Sequence, residues 1–150
     1  MHVGDKTYLA ASLLVDVSEE IQRTLGASYQ HNLEYAKNFC TVKVGTSRRS
    51  GHTTSMLRLC ERFESSLIVV LNIPMIDSLR SNSLYAPIVN KARFVSRYNI
   101  DTALGVRYDA ILIDCASIFR DSEIAQIYDL FVASVAVSSY MKPAFIVLFE

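Results

Sequence analysis

The sequence lacks the features that would place it in several broad classes of protein. Fifteen basic side chains balance fifteen acidic ones, so no net charge draws the protein towards nucleic acid or a membrane, and any such contact requires a local patch. The longest apolar runs, near residues 67–73 and 144–149, are far shorter than the ~20 residues of a membrane-spanning helix. The first residues have neither the basic segment nor the cleavage site of a secretory signal, which favours a cytoplasmic protein without a membrane partner.

Cysteine and linker residues are also scarce. Cys40, Cys60 and Cys115 are odd in number, far apart and without a CxxC pair, which predicts reduced, buried thiols and no zinc site. No Gly-, Ser- or Pro-rich linker, internal repeat or low-complexity tract divides the chain. The sequence therefore predicts a single domain over residues 1–150.

Helix-like and strand-like patterns alternate along the chain. Apolar residues at helical spacing predict an N-terminal helix within residues 1–27, which either packs on the periphery of the domain or contacts another copy. Further helices are predicted over residues 28–38, after residue 52 and over 122–131, and strands over 40–45, 66–73, 93–98, 109–116 and 144–149. Because the apolar strands alternate with helices, we expect an α/β domain of three layers, with a mostly parallel central sheet and helices on both faces.

A polar segment, TSRRSGHTT at residues 46–54, follows a predicted strand and opens a predicted helix. In that setting a loop can turn successive backbone N–H groups towards a phosphate, and the helix N-terminus adds partial positive charge. Compared with the phosphate-loop pattern G-x-x-x-x-G-K-S/T, Gly51 and Thr53 match. Thr46 stands at the first glycine and His52 at the lysine.

The missing lysine leaves the phosphate site short of a fixed positive charge. Arg48 or Arg49 can supply it, because a guanidinium binds phosphate oxygens through two parallel hydrogen bonds. The backbone of Ser50 would contribute to the phosphate cradle, and Thr54 stands beside the metal-binding hydroxyl of Thr53. The alternative interpretation is an ordinary polar turn with its arginines in solvent.

A second motif, YDAILIDCA, ends a predicted buried strand in Asp114. Ligands of open α/β sheets bind beyond the carboxyl ends of the strands, which is where this carboxylate would lie. Asp114 is positioned to hold the hydration shell of Mg²⁺ while Thr53 binds the ion directly. The alternative is a strand-terminal aspartate that only caps a turn.

Together these segments resemble the ATPase domain of phage large terminase subunits. In that family a strand "I-x-F-x-S" leads through "L-R-G-x-x-x-D" into "hhhhDE-A", and RFVSRYNIDTALGVRYDAILIDCA follows the same order. The matching positions are Phe94, Ser96, Leu104, Gly105, Asp109 and Asp114. Upstream, YQHNLEYAKNF resembles the helix with the adenine-contacting glutamine of terminases and superfamily-two helicases, which places that role on Gln30. The resemblance covers about residues 29–150.

The resemblance implies a P-loop NTPase fold that uses ATP and Mg²⁺ in phage DNA packaging or other DNA handling. Its partners would be a nucleotide, DNA or a DNA-packaging assembly and further copies of the chain, in the cytoplasm of the host cell. Asp114 and Arg49 would carry the catalytic roles.

The chain departs from the family where catalysis is concerned. The glutamate that follows the Walker B aspartate is replaced by Cys115, and a buried protonated thiol cannot act as a carboxylate base. Asp121 and Glu123 are nearby alternatives, and the family's coupling motif would fall near residues 149–150. Two functions therefore stay open: a DNA-handling ATPase, and an inactive pseudo-ATPase that regulates or scaffolds a partner. A nucleotide kinase is less favoured, since no lid-like arginine segment is present.

Basic and aromatic residues also interleave between residues 91 and 108. The basic ones are Lys91, Arg93, Arg97 and Arg107, and the aromatic ones are Phe94, Tyr98 and Tyr108. Such a pattern suits either a nucleic-acid surface or a solvated rim at the edge of a sheet, and we favour the rim.

Overall fold

The computed structural model describes residues 3–25, 32–45, 52–137 and 142–150, and all structural statements below concern these residues. The helices are α1 (Val3–Leu25), α2 (Leu33–Phe39), α3 (His52–Cys60), α4 (Ile73–Ser81), α5 (Ala86–Val89) and α6 (Asp121–Val137). The strands are β1 (Thr41–Val44), β2 (Ser66–Val70), β3 (Arg93–Ser96), β4 (Ala110–Asp114) and β5 (Phe145–Phe149). Two short 3₁₀ helices, Ile100–Ala103 and Ala116–Ile118, precede and follow β4.

The five strands form one sheet in the order β1-β5-β4-β2-β3, and every neighbouring pair is parallel. Strands β2, β4 and β5 are buried along their whole length, as their continuous apolar sequences predict. The predicted α/β class with a parallel sheet is therefore confirmed. Because all strands run the same way, their carboxyl ends lie at one edge of the sheet.

Two hydrophobic clusters, one on each face of the sheet, make up the core. One cluster contains side chains of α1, α3, α4 and α5, and the other those of α2, α6 and the first 3₁₀ helix. Alternate residues of a strand enter opposite clusters: Ile111 and Ile113 join the α6 side, whereas Leu112 joins the α3 side. This alternation follows from the two-residue period of a strand and gives the predicted three layers.

The segment after β2 differs from its prediction. The predicted strand over 66–73 ends earlier, at Val70, because Asn72 caps a helix that the sequence analysis did not predict. The side-chain oxygen of Asn72 accepts the backbone N–H of Met75 at 3.1 Å, and Pro74 lies in the first turn. Proline suits that position, because its missing N–H has no intrahelical partner there and its fixed φ is helical. Helix α6 is also longer than the predicted 122–131.

Helix α1 confirms the predicted N-terminal helix, and the domain covers a side of it other than the apolar stripe. Its buried face consists of small and polar residues: Thr7, Ala11, Val15, Ser18 and Gln22. The large apolar side chains lie in solvent, each between 38% and 64% exposed: Leu9, Leu13, Leu14, Val17, Ile21 and Leu25. Hydrogen bonds as well as apolar contact therefore attach α1 to the domain.

The side chain of Gln22 is the main polar contact of α1, and its removal should destabilise the fold. Its Nε2 donates to the carbonyl oxygen of Ala144 at 2.9 Å, and its Oε1 accepts the N–H of Ala144 at 3.2 Å, both buried. Gln22→Ala leaves both backbone groups unpaired, so we expect the free energy of unfolding to fall by about 2–4 kcal/mol. Urea unfolding followed by circular dichroism measures this loss. Glu20→Ala, on the exposed side of the same helix, is the control, and an equal effect of both substitutions would contradict the prediction.

Candidate functional site

A crevice is expected where the carboxyl ends of β1, β5 and β4 meet. After β1 the chain continues to α3 on one face of the sheet, and after β4 it continues to α6 on the opposite face. Strand β5 lies between them. Neighbouring connections that diverge to opposite faces open a cleft at the sheet edge, and ligands of parallel α/β sheets bind there. Both sequence motifs lead into this edge.

The hydroxyl of Thr53 and the carboxylate of Asp114 meet at this edge of the sheet. Thr53 lies in the first turn of α3, and Asp114 is the last residue of β4 and only 1% exposed. Thr53 Oγ1 donates to Asp114 Oδ2 at 3.2 Å, across 61 residues of sequence. The structure thus brings together the two residues for which the sequence predicts a shared metal site.

The neighbouring hydroxyl, that of Thr54, points elsewhere. Its Oγ1 lies 2.9 Å from the hydroxyl of Tyr85, which immediately precedes α5. Consecutive helical residues project about 100° apart around the axis, so only one of the two threonines can face β4. Thr53 is therefore the candidate metal ligand, and Thr54 serves as a matched internal comparison.

The donor set of this pair suits a hard divalent cation. A threonine hydroxyl and a carboxylate are oxygen groups of the kind that Mg²⁺ prefers, the hydroxyl as a direct ligand and the carboxylate as an acceptor for the ion's bound water. Thr53 Oγ1 and Asp114 Oδ2 lie 3.2 Å apart, close enough to serve one ion in these two roles. Across the described part of the chain, no group of three or more His, Cys, Asp or Glu side chains is placed to hold a metal ion. An ion at Thr53 and Asp114 would therefore complete its shell with water and phosphate oxygens.

Cys115 occupies the position next to Asp114 in an uncommon backbone conformation. Its φ of 55° lies in the left-handed region, and it is the only non-glycine residue of the described ranges with positive φ. Its Sγ–H donates weakly to Asp114 Oδ1 at 3.7 Å. Burial raises the pKa of the Cys115 thiol, and the adjacent Asp114 carboxylate raises it further. The thiol is thus protonated at neutral pH and is not a general base.

Glu150 brings a second carboxylate to the same edge. In the sheet, Phe149 pairs with Val44 of β1 on one side and with Asp114 of β4 on the other. Glu150 follows directly, and its N–H donates to the carbonyl oxygen of Val44 at 3.0 Å. Its Oε2 lies 3.9 Å from the point where a Cβ on Gly45 would stand. Glu150 therefore lies between the ends of β1 and β4, next to Gly45.

Glu150 was not among the site residues predicted from the sequence. A signal was present, because the coupling motif expected from the terminase resemblance would fall at these residues. What could not be read from the sequence was the strand order, which inserts β5 between β1 and β4. The Glu150 side chain is exposed at this edge.

The two alternative bases named from the sequence lie at the start of α6. Glu123 Oε1 accepts the N–H of Arg120 at 2.9 Å and lies 3.9 Å from Arg97 Nη1. Its carboxylate is therefore engaged in capping the helix and in an ion pair. Asp121 is the first residue of α6 and is exposed.

Several predicted site residues lie outside the described ranges. They are Gln30, Thr46, Arg48, Arg49, Ser50 and Gly51. His52 is the first residue of α3. The predicted adenine, phosphate and charge-compensating contacts of these residues stay predictions.

The interleaved basic and aromatic residues do not share one open face. Phe94 and Tyr108 are buried, which removes two of the three candidate stacking rings, and Tyr98 alone is strongly exposed. Arg93 donates to the hydroxyl of Tyr108 and to a backbone carbonyl, while Arg107 donates to the carbonyl of Lys142. These hydrogen bonds hold the side chains of Arg93 and Arg107 against neighbouring segments of the domain.

The cysteines are free thiols, with Cys40 and Cys60 buried. Burial raises the pKa of Cys40 to about 12, so this thiol stays protonated and packs as a small apolar group. Among the described helices, none combines the length and the apolar character needed to cross a bilayer.

Comparison with known proteins adds no family assignment. The chain matches no protein-family model, and a search of curated proteins found no significant relative.

Proposed function

We propose that the protein binds ATP with Mg²⁺ in this crevice, in the manner of the terminase ATPase domains that its motifs resemble. One observation carries the proposal: the contact between Thr53, at the N-terminus of α3, and the buried carboxylate of Asp114. A capping or purely structural aspartate does not require a hydroxyl from the first turn of another helix. A Mg²⁺–nucleotide site does, because the metal must be held beside the phosphates at the helix N-terminus.

The remaining contacts follow from the sequence motifs. In this proposal the backbone amides of residues 50–53 hold the β- and γ-phosphates, and Arg48 or Arg49 replaces the lysine charge. Gln30 contacts adenine. Bound Mg²⁺ would neutralise the charge that develops on the phosphate oxygens.

For hydrolysis we propose that Glu150 polarises the attacking water. The water oxygen forms a bond to the γ-phosphorus while the bond to the β–γ bridging oxygen breaks, giving ADP and phosphate, and the water proton passes to the carboxylate. Glu150 directly follows β5, the strand between β1 and β4, and its Oε2 approaches Gly45, which supports a position near the proposed phosphate site. A positioned carboxylate base contributes ~10²–10⁴-fold to such a reaction.

The biological setting that fits this assignment is DNA handling, with phage DNA packaging as the closest analogy. Its support is the resemblance of residues 93–116 to terminase ATPase domains. DNA or a DNA-packaging assembly would be the partner, and added DNA should then stimulate phosphate release.

A second candidate function is that of a pseudo-ATPase, which binds nucleotide without hydrolysing it. The observation that favours it is Cys115, a protonated thiol at the position of the usual catalytic glutamate. In this case the nucleotide stabilises a conformation that caps or regulates a partner. Turnover measured on the wild-type chain separates the two candidates.

The proposal is tested by titration calorimetry with ATP, with and without Mg²⁺, on Thr53→Val and Thr54→Val. Both changes remove a hydroxyl from the first turn of α3 and preserve side-chain shape. We expect wild type and Thr54→Val to bind ATP more tightly with Mg²⁺. Thr53→Val should lose about 10- to 100-fold of the Mg²⁺-dependent affinity.

Two outcomes would contradict the proposal. The first is absence of heat at millimolar ATP with Mg²⁺, which would leave only the fold established. The second is equal Mg²⁺ dependence in Thr53→Val and wild type, which would show that the contact with Asp114 is structural. Circular dichroism of each variant establishes that the fold is retained.

A further inference from the structure

A cavity of about 530 Å³ lies at the amino edge of the sheet, opposite the edge where Thr53 and Asp114 meet. Its place in the fold follows from two of its lining residues, Cys60 at the end of α3 and Ser66 at the start of β2. Both residues are buried, so they form its closed end. The volume is that of a small-molecule site, which is roughly 300–1,000 Å³, and the nucleotide proposal assigns no role to this cavity.

Part of the lining is apolar. It consists of Phe63, on the segment that follows α3, and of Pro87 and Ile88 in α5. Phe63 and Ile88 pack against the cluster on the α3 side of the sheet, and the centroid of the Phe63 ring lies 5.6 Å from that of Phe145. Because these contacts hold the apolar lining in place, a ligand can bury an apolar group against it at little cost in ordering the protein.

Four charged residues also line the cavity, namely Glu61, Arg62, Glu64 and Lys91. Two of them are engaged with other parts of the domain. The Arg62 guanidinium forms ion pairs with two carboxylates of α1, and the Glu64 carboxylate lies 3.8 Å from the Nζ of Lys142. Glu61 and Lys91, both of them exposed, are therefore the charges that can face a ligand.

Glu61 and Lys91 reach the cavity from different elements. Glu61 directly follows α3, whose C-terminus adds partial negative charge to that of the carboxylate, so this position favours an ammonium group. Lys91 follows α5 and favours a carboxylate. A ligand with a single charge would match one of these residues and be repelled by the other. A zwitterion matches both, and the apolar lining adds the requirement of an apolar body.

We propose that this cavity binds a free apolar α-amino acid in its zwitterionic form. The ammonium group of the ligand lies beside Glu61 and the C-terminus of α3, and its carboxylate lies beside Lys91. The apolar side chain packs against Phe63, Pro87 and Ile88. The site is independent of the nucleotide site, because the two lie at opposite edges of the sheet.

Three ligands that differ in charge test the proposal, with chemical-shift titration of the ¹⁵N-labelled protein as the measurement. L-Phenylalanine should bind with a Kd of about 0.1–1 mM. N-acetyl-L-phenylalanine lacks the ammonium charge and L-phenylalaninamide lacks the carboxylate, so each should bind about fivefold more weakly. Absence of shifts at about 10 mM L-phenylalanine would overturn the proposal. Equal affinity for all three ligands would also overturn it, since the apolar body alone would then account for binding.

Two substitutions assign the charges to residues. Lys91→Met should weaken L-phenylalanine about fivefold and leave L-phenylalaninamide unaffected, because the amide has no carboxylate for Lys91 to contact. Glu61→Gln should weaken L-phenylalanine and leave the N-acetyl form unaffected. Lys43→Met, at an exposed position of β1, is the control and should bind all three ligands as wild type does.

A loss of affinity in Lys91→Met that is equal for L-phenylalanine and its amide would contradict the proposed contact. So would a loss of the same size in Lys43→Met, which would show that net charge and not position is responsible. Thr53→Val should bind L-phenylalanine as wild type does. Failure of the nucleotide proposal and failure of the amino-acid proposal are therefore separate results.

Discussion

Asp114→Asn is expected to abolish the Mg²⁺ dependence of ATP binding while leaving the fold intact. The change removes one negative charge and preserves side-chain shape at a position that is 1% exposed and in contact with Thr53. An amide oxygen binds a hydrated divalent cation far more weakly than a carboxylate does. We expect the Mg²⁺-dependent affinity to fall roughly 100-fold, and any turnover to fall roughly 100- to 1000-fold. Calorimetry and a phosphate-release assay measure these quantities.

The same strand supplies the control for this substitution. Asp109 stands immediately before β4, at the opposite edge of the sheet, and is also buried. Its Oδ1 lies 3.1 Å from Lys142 Nζ, so Asp109→Asn weakens an ion pair and should lower thermal stability. It should keep the Mg²⁺-dependent affinity. If Asp109→Asn and Asp114→Asn weakened ATP binding equally, the effect would come from the fold, and Asp114 would not be a metal-site residue.

Glu150→Gln is expected to stop hydrolysis without weakening nucleotide binding. Its side chain is exposed just after β5, and its carboxylate lies close to Gly45. Glutamine keeps the length of the side chain but cannot accept the water proton, so we expect turnover to fall about 10²–10⁴-fold with an unchanged Kd for ATP. A phosphate-release assay with and without DNA, combined with calorimetry, separates the two effects.

Glu123→Gln is the comparison for Glu150→Gln, because its carboxylate is engaged with Arg97 and the first turn of α6. Its turnover should equal that of wild type. Full activity in Glu150→Gln would reject the proposed role of this residue. A wild-type protein that binds ATP and releases no phosphate, with or without DNA, would instead support the pseudo-ATPase.

The strands were predictable because their sequence pattern is local. A fully buried parallel strand must be apolar on both faces, so the runs that became β2, β4 and β5 could be recognised without any tertiary information. Helix α4 was not recognised because Pro74 was interpreted as the end of a strand. Proline ends one element and begins another equally well, and only the cap formed by Asn72 distinguishes the two.

Helix α1 shows that the spacing of apolar residues does not predict which side of a helix is buried. The spacing of its apolar residues predicts a helix, and the helix is present, but spacing does not identify which side the domain covers. The covered side is set by Gln22 and Ser18, whose hydrogen bonds reach backbone groups of Ala144 and Phe39. Those partners are distant in sequence, so no local pattern reveals them.

The candidate site likewise has one part that the sequence predicts and another that depends on the tertiary fold. The proximity of Thr53 and Asp114 could be predicted from the two sequence motifs, and Thr53 Oγ1 lies 3.2 Å from Asp114 Oδ2. The position of Glu150 depends on the order of strands in the sheet, and the left-handed conformation of Cys115 depends on how the chain leaves β4. Neither is encoded in a short segment.

The position of β5 between β1 and β4 has a consequence for how the chain reaches its native state. Strands β2, β3 and β4 pair with one another and can assemble as soon as residues up to 114 have left the ribosome. Strand β1 is made earlier but pairs only with β5, so it has no sheet partner until residues 145–149 emerge. Such long-range pairing slows folding and leaves an open strand edge meanwhile. Synthesis order therefore makes the pairing of β1 and β5 the last part of the sheet to form.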